Sequence, residues 1–324
     1  MASTEELERF RDTSENPCGL ASHGPVFATG DSLGQAHIFD EEGTSQRIEV
    51  ADDEVTAIAI SPDGKECSIA SANVVSMHSF PEFSEEVIGM AVRCSLKITH
   101  LLYNPSGSHL MVSSQEPDIQ IFSKRSHEVE YKIRTRDIGV RTFALHGEKE
   151  LLAYVDDSAS AYWVELKSEH NSPDPQYTDS KELHRIKSFI SKECVRDYEN
   201  TGFQISWHPT RELLAVPGDA HTILLCERLG RDGAEFRTKD TILSADSVLG
   251  HSAPLNLAVF SPNGHYLASA DKSGNVVVWD IESKKPVKKI SCIKPLFDLK
   301  WGNENDDNFI IVVNNDGKTV LRNI

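Results

Sequence analysis

The sequence predicts an all-β fold, a seven-bladed β-propeller, and three observations carry that expectation. First, a turn that follows an aliphatic or aromatic strand end keeps returning. Ile60 precedes SPDG, Tyr103 NPSG, Leu145 HGEK, Trp207 HPTR, Phe260 SPNG and Trp301 GNEN, at separations of 43, 42, 62, 53 and 41 residues. This spacing is that of a four-stranded blade, with insertions of roughly 20 and 10 residues in two of them. Second, the end of the third strand of each unit falls at Phe39, Met77-His78, Phe122, Trp163, Cys226, Trp279 and Leu321, which makes seven units. Third, the apolar runs are short, β-branched or aromatic and bounded by turn residues, and long helical periodicity is missing. A pair of β-sandwiches, the plainest alternative, gives no reason for such a period to hold over five intervals.

The clearest unit is Gly250 to Asp280, GHSAPLNLAVFSPNGHYLASADKSGNVVVWD. It opens on Gly-His and closes on Trp-Asp. The β-type runs Leu255–Phe260, Tyr266–Ala270 and Asn275–Trp279 are separated by turns ending in Gly264 and Gly274, where glycine takes positive φ at no steric cost. This looks like one WD repeat, a unit that cannot bury both faces alone and implies copies of itself. His251 resembles the histidine of the hydrogen-bond network inside such a repeat, with Trp279 as a partner. Ser273 stands where an aspartate is expected before the turn glycine, which predicts an incomplete network.

Taken in order, the chain opens on the polar, acidic MASTEELERFRDTSENP, which has no apolar core and is no secretory signal. A weak first blade fits around Leu20 in CGLASHG, with VFATGD and QAHIFD as its next strands. VTAIAI, IQIFSK, ELLAYV, SAYWVEL, LLAVPG and TILLCE supply later blades. The last blade, PLFDLKW, NFIIVV and KTVLRN, has three strands before Ile324. Its outer strand is expected from the N-terminal segment around Leu7–Arg11, which closes the ring and removes two open edges. Within this single domain, residues 1–324, Glu165–His184 is polar with two prolines and reads as a mobile loop. Leu229–Leu249 is a longer connection, expected to be partly ordered.

Composition excludes several functions. The net charge of -17 argues against a broad grip on nucleic acid or anionic membrane. No apolar run approaches the ~20 residues of a membrane span. Cys18, Cys67, Cys94, Cys194, Cys226 and Cys292 are dispersed and read as free thiols in a reducing compartment. The 13 histidines form no H-E-x-x-H, so no metal is expected. His146 and His208, at first-strand turns, read as hydrogen-bonded structural groups. Asp52-Asp53 and Asp156-Asp157 read as solvated loop charge, and Lys284 to Lys289 as a solvated hairpin rather than a nuclear localisation signal. Ser172-Pro173 reads as plain loop. No nucleotide-binding or hydrolase motif occurs, so neither catalytic residues nor a cofactor are expected.

Arginine placement marks a candidate partner site. Loops that join one blade's outer strand to the next blade's inner strand all emerge on one face, here called the upper face. Three successive loops of this kind hold Arg93, then Arg134 and Arg136, then Arg196, with Arg141 just inside the strand after the second. Asp137, Glu193 and Asp197 lie close by. Such a set suits an acidic or phosphorylated peptide, which arginine grips bidentately. Extended DNA contact does not suit the acidic surroundings.

Phe203-Gln-Ile-Ser-Trp-His-Pro-Thr-Arg-Glu-Leu-Leu-Ala-Val-Pro217, after its acidic-polar insertion, resembles the equivalent blade of the Ctf/AND family of replisome adaptors. These are the chromosome-transmission-fidelity factor of yeasts and its acidic nucleoplasmic counterpart in animals. Leu257-Ala-Val-Phe-Ser-Pro262, Val277-Val-Trp-Asp-Ile281 and Leu321-Arg-Asn-Ile324 are similar too. The resemblance implies the N-terminal propeller of a nuclear, non-enzymatic adaptor that links the replicative helicase to polymerase alpha and to other replication or cohesion factors. Family members continue into a second, trimer-forming propeller that is not part of this sequence, so trimerisation is expected only through that domain. A generic WD-repeat scaffold in a ubiquitin-ligase or chromatin complex is the alternative. A propeller hydrolase is the third class, and it needs ionisable residues converging in the central channel.

Overall fold

The computed structural model describes residues 17–24, 26–39, 45–81, 89–135, 139–147, 151–167, 178–179, 184–186, 203–218, 221–229, 235–243, 250–292, 296–304, 307–314 and 319–323. Every regular element among them is a β-strand, and the strands pair antiparallel within seven separate sheets. Six of these carry four strands or more and are complete blades. The first holds Pro17–His23, Val26–Asp31, Gln35–Phe39 and Ser45–Glu49. The second holds Val55–Ile60, Glu66–Ser71, Val74–Ser79 and Gly89–Arg93. The third holds Ile98–Tyr103, His109–Ser114, Asp118–Ser123 and Glu128–Arg134. The fourth holds Val140–Leu145, Leu151–Asp156 and Ala161–Lys167, with two short outer pieces, Thr178–Asp179 and His184–Ile186. The fifth holds Ser206–Trp207, Leu213–Pro217, Thr222–Leu229 and Glu235–Leu243. The sixth holds Leu255–Phe260, Tyr266–Asp271, Asn275–Asp280 and Lys285–Ser291.

The seventh sheet, Leu296–Glu304, Asp307–Asn314 and Thr319–Asn323, has three strands among the described residues. The structure therefore shows six full blades where the sequence count gives seven. The N-terminal segment expected to complete the last one lies outside the described residues. Ile60, Tyr103, Leu145, Trp207 and Phe260 each end their inner strand, as the repeating turn predicts, whereas the strand through Trp301 runs on to Glu304.

The core is divided among the gaps between sheets, because a strand's alternating side chains serve two neighbours. Val55, Ile58 and Ile69 pack on Ala28, Ala36 and Ile38 between the first and second sheets. Leu101, Leu110 and Phe122 pack on Ala70, Val75 and Met77 between the second and third. Trp163 of the fourth blade packs with Trp207 and Leu214 of the fifth. Ile311 and Val313 of the seventh sheet pack on Leu20, Phe27 and Phe39 of the first, where Ser22 Oγ also donates to Trp301 O at 3.2 Å.

A second tie between sheets runs along the first-strand turns of the lower face. Gly64 lies so close to the His23 ring of the preceding blade that an added Cβ would clash with it, and Gly264 lies as close to His208, with Pro209 nearby. Both glycines also sit at positive φ, +66° and +74°. The repeated glycine is thus fixed twice over, by its backbone angle and by its neighbour. His208 and His146 hold these turns, as expected. His208 Nδ1 accepts from the Thr210 and Arg211 amides at 3.2 and 3.1 Å, and His146 Nε2 bonds Arg211 O at 3.1 Å. Trp207 Nε1 donates to Ala144 O of the preceding blade at 3.0 Å, and Trp301 Nε1 to Val259 O at 2.9 Å.

The two interruptions are more ordered at their ends than their composition suggests. Thr178–Asp179 pairs with Leu166 and Lys167, and His184–Ile186 with Ala161–Trp163, so the fourth blade draws its outer strand from the insertion itself. Backbone pairing supplies what the apolar residues lack. Residues 168–177 and 180–183 lie outside the described residues. In the longer connection, Glu235–Leu243 is a nine-residue outer strand. Lys284 lies in the turn and Lys285–Ser291 forms an outer strand, so most of the basic run is strand rather than hairpin loop.

Candidate functional site

Because the strands alternate in direction, second-to-third turns and blade-to-blade connections share the upper face. The sixth blade ties these two kinds of loop together. His251, in the connection, bonds Asp271 Oδ2 through Nδ1 at 2.9 Å and Ser269 Oγ through Nε2 at 2.7 Å. Trp279 Nε1 donates to the same Ser269 Oγ at 2.8 Å. Asp271 Oδ1 accepts from the Ser273 and Asn275 amides, both at 3.0 Å, and from Ser273 Oγ at 2.6 Å. The network is complete, which corrects the reading from Ser273. The carboxylate sits at the end of the second strand, two residues earlier, where it reaches both the turn and the histidine.

Burial pulls the His251 ring below the ordinary imidazole value, against the pull of Asp271. Burial opposes ionisation of Asp271, but the bonds from His251, Ser273 and Asn275 outweigh it and hold its carboxyl well below the usual range. A neutral ring with its proton on Nδ1 satisfies every partner: Trp279 donates to Ser269, Ser269 to His251, and His251 to Asp271.

Two other blades repeat the turn cap. Asp31 Oδ1 accepts from the Leu33 and Gln35 amides at 2.8 and 3.0 Å, and Oδ2 pairs with His37 Nε2 at 3.0 Å. Asp156 Oδ1 accepts from the Ser158 and Ser160 amides at 2.9 and 3.0 Å. Asp156 is therefore a buried cap and not the solvated loop charge expected of it. Asp52 and Asp53 are exposed loop charges as expected. A signal for the caps is present: Asp31, Asp156 and Asp271 each stand eleven residues after Leu20, Leu145 and Phe260.

The candidate arginines separate. Arg93 and Arg134 are exposed and end the outer strands of the second and third blades at the upper face. Arg141 is 9% exposed and lies in the inner strand of the fourth blade. Arg136 and Arg196 lie outside the described residues, as do Asp137, Glu193 and Asp197.

Ionisable groups converge between inner strands of neighbouring sheets. Lys300 Nζ stands 3.3 Å from Asp298 Oδ1. The Gln204 amide, turned with its oxygen toward the ammonium, accepts from Lys300 Nζ at 2.5 Å and donates to Asp298 Oδ1 at 3.2 Å. The fifth blade's inner segment leans toward the sixth here, for Gln204 N donates to Asn256 O and Ala258 N to Gln204 O. Burial, then the charges of Lys300 and Arg141, pull His100 down to about 3, so its ring stays neutral. Burial pushes Asp298 up despite Lys300. Lys300, Asp298 and Gln204 thus satisfy one another and tie inner strands together.

Among the described residues no three His, Cys, Asp or Glu side chains gather into a set able to hold a metal ion. Cys67, Cys94, Cys226 and Cys292 are free thiols. Burial raises the first beyond ordinary titration and Cys94 to about 11. No helix among the described residues is long and apolar enough to cross a membrane.

Sheet order, the four-group network and the repeating turn define a class: an all-β WD-repeat propeller, in general a non-enzymatic scaffold fold. The chain matches the family described as "WD domain, G-beta repeat" over residues 244–280, the unit singled out in the sequence. It is similar to the mouse "WD repeat and HMG-box DNA-binding protein 1", 23% identical over 230 residues, 70% of this chain and 18% of that protein. The human counterpart is 21% identical over 229 residues. The rice "Chromatin assembly factor 1 subunit FAS2 homolog" is 25% identical over 138 residues, 36% of this chain and 26% of that protein. The chain thus spans about a fifth of the length of the first two relatives.

Proposed function

We propose that this chain is a protein-interaction platform that works in DNA replication or chromatin in the nucleus. Within that role, it serves a replisome adaptor that links the replicative helicase to polymerase alpha and to other replication or cohesion factors. The observation that carries the reading is the reach of the likeness. It extends over 70% of the chain, far beyond the single repeat that any WD protein shares. The net charge of -17 favours protein partners over long duplex DNA.

The platform is a ring of seven units in this reading. The seventh sheet is completed by the N-terminal segment, and its packing on the first sheet supports that closure. Arg93 and Arg134, with Arg136 and Arg196 by their place in the sequence, mark the upper face as the partner side. Cross-linking mass spectrometry of the chain in replicating nuclear extract tests the proposal. Links to helicase and polymerase subunits are expected; links confined to cullin or histone-modifying subunits overturn the adaptor role.

A further inference from the structure

The upper face over the second and third blades combines three features. The connection between these blades, residues 93–98, is fixed at both flanks. Cys94 N donates to Asn73 O at 2.9 Å and Ile98 N to Ala72 O at 2.8 Å on one side. On the other, Gln115 N donates to Lys97 O at 3.0 Å and Ser95 N to Glu116 Oε2 at 3.4 Å. At its crest stands Leu96, 46% exposed, one of three exposed large apolar side chains among the described residues. A leucine held open on a pinned loop has already lost the backbone freedom that binding would otherwise cost.

The second feature is charge left over after local pairing. Two of the nearby carboxylates are paired, Glu54 with Lys97 Nζ at 2.6 Å and Asp118 with Lys132 Nζ at 3.6 Å, while Glu116 keeps its charge and accepts from Ser114 Oγ at 3.3 Å and Ser95 N at 3.4 Å. Arg93 and Arg134 take no partner among the described residues, and both are exposed. Arg93 lies opposite Val74, at the turn that anchors the Leu96 loop. Arg134 lies opposite Asp118, beside the turn that holds its other flank. The third feature is a boundary. Asp52 and Asp53, on the preceding connection, are exposed and close the patch with negative charge toward the first blade.

We infer that Arg93, Leu96 and Arg134 form a docking point for a short acidic peptide segment of a protein partner that carries a large apolar side chain beside its carboxylates. This rests on the reading of the chain as an interaction platform. The guanidinium groups take carboxylates bidentately, and the apolar residue covers Leu96. Arginine is enriched among the residues that carry most of an interface's binding energy. Asp52 and Asp53 repel the peptide's acidic end, which gives the segment one direction across the face. The phosphates of a nucleic acid meet the same acidic boundary.

The test uses the full chain and a fluorescein-labelled nonapeptide of two leucines among aspartates and glutamates, read by anisotropy. Saturable binding is expected. It should weaken about tenfold or more in R93E/R134E and in L96S, and also when the peptide's leucines become serines. L33S, on the first blade beyond the acidic boundary, should bind as the parent does. Melting temperatures of all variants should match the parent, which excludes misfolding as the cause. Absence of binding, binding indifferent to R93E/R134E, an equal loss in L33S, or tighter binding of a labelled single-stranded oligonucleotide each overturns the inference. Cross-linking of R93E/R134E in nuclear extract separates this from the wider reading. Unchanged partner links in the variant sink the docking point and leave the platform standing, whereas no links from the parent chain sink the platform itself.

Discussion

Removing the Asp271 carboxylate tests whether the upper face is held by its buried network or by strand pairing alone. Asp271 is fully buried and accepts from two backbone amides, the Ser273 hydroxyl and the His251 ring. In Asp271→Ala these donors lose their acceptor, and the His251 Nδ1 proton is left inside the protein with no oxygen to meet. A buried donor left without its acceptor costs about 1–3 kcal/mol, and several are stranded at once here, so a total of about 3–5 kcal/mol is expected. At about 2.1 cal/mol/K of unfolding entropy per residue, a chain of this length loses roughly 4–8 °C of melting temperature. The assay is differential scanning calorimetry at pH 7, with Asp63→Ala as the reference. Asp63 bonds Ser61 Oγ at 2.6 Å on an exposed turn, and its loss should stay within about 0.5 kcal/mol. Equal losses for the two variants, or a drop of under about 1 °C for Asp271→Ala, refute the network's role.

Three further outcomes follow from the same structure. Gly264→Ala should cost more than Gly24→Ala: both glycines have positive φ, but a Cβ at Gly264 meets His208 and Pro209, while at Gly24 nothing lies within 4 Å. The shared backbone penalty is about 1–2 kcal/mol, and the difference in melting temperature reads the contact between blades alone. Thermal stability should decline as pH falls from 6.5 toward 3. His100, His208 and His251 all titrate below the ordinary 6.5 chiefly because of burial, so below that pH the unfolded chain binds protons the folded one refuses. Asp298, raised by burial, opposes this, and Asp271 adds to the loss below 3.8. A melting temperature flat between pH 6.5 and 4 contradicts that account. Deleting residues 1–14 should lower the melting temperature and promote association through the open edge at Thr319–Asn323; an unchanged melt removes the N-terminal segment from the proposed closure.

The sequence by itself determined the repeat. Strand ends at Ile60, Tyr103, Leu145, Trp207 and Phe260 were legible because a strand's apolar run and the turn residues after it are local signals, printed once per blade. The structural roles of His146 and His208 were legible for the same reason. What stayed hidden depends on residues that only the fold brings together. Asp271 reaches His251 across 20 positions, and the inference from Ser273 failed because spacing along the chain does not say which side chain turns inward. Asp156 has the local sequence of a solvated loop charge, yet it is buried under the Ser158 turn. Arg93 and Arg141 are alike as letters, yet one ends an outer strand in solvent and the other lies buried in an inner strand. The meeting of Gln204 with Lys300 spans two sheets, and no local pattern announces it. Backbone preference acts over a few residues and can be read in one dimension; burial and charge pairing depend on distance through space, which the tertiary structure alone sets.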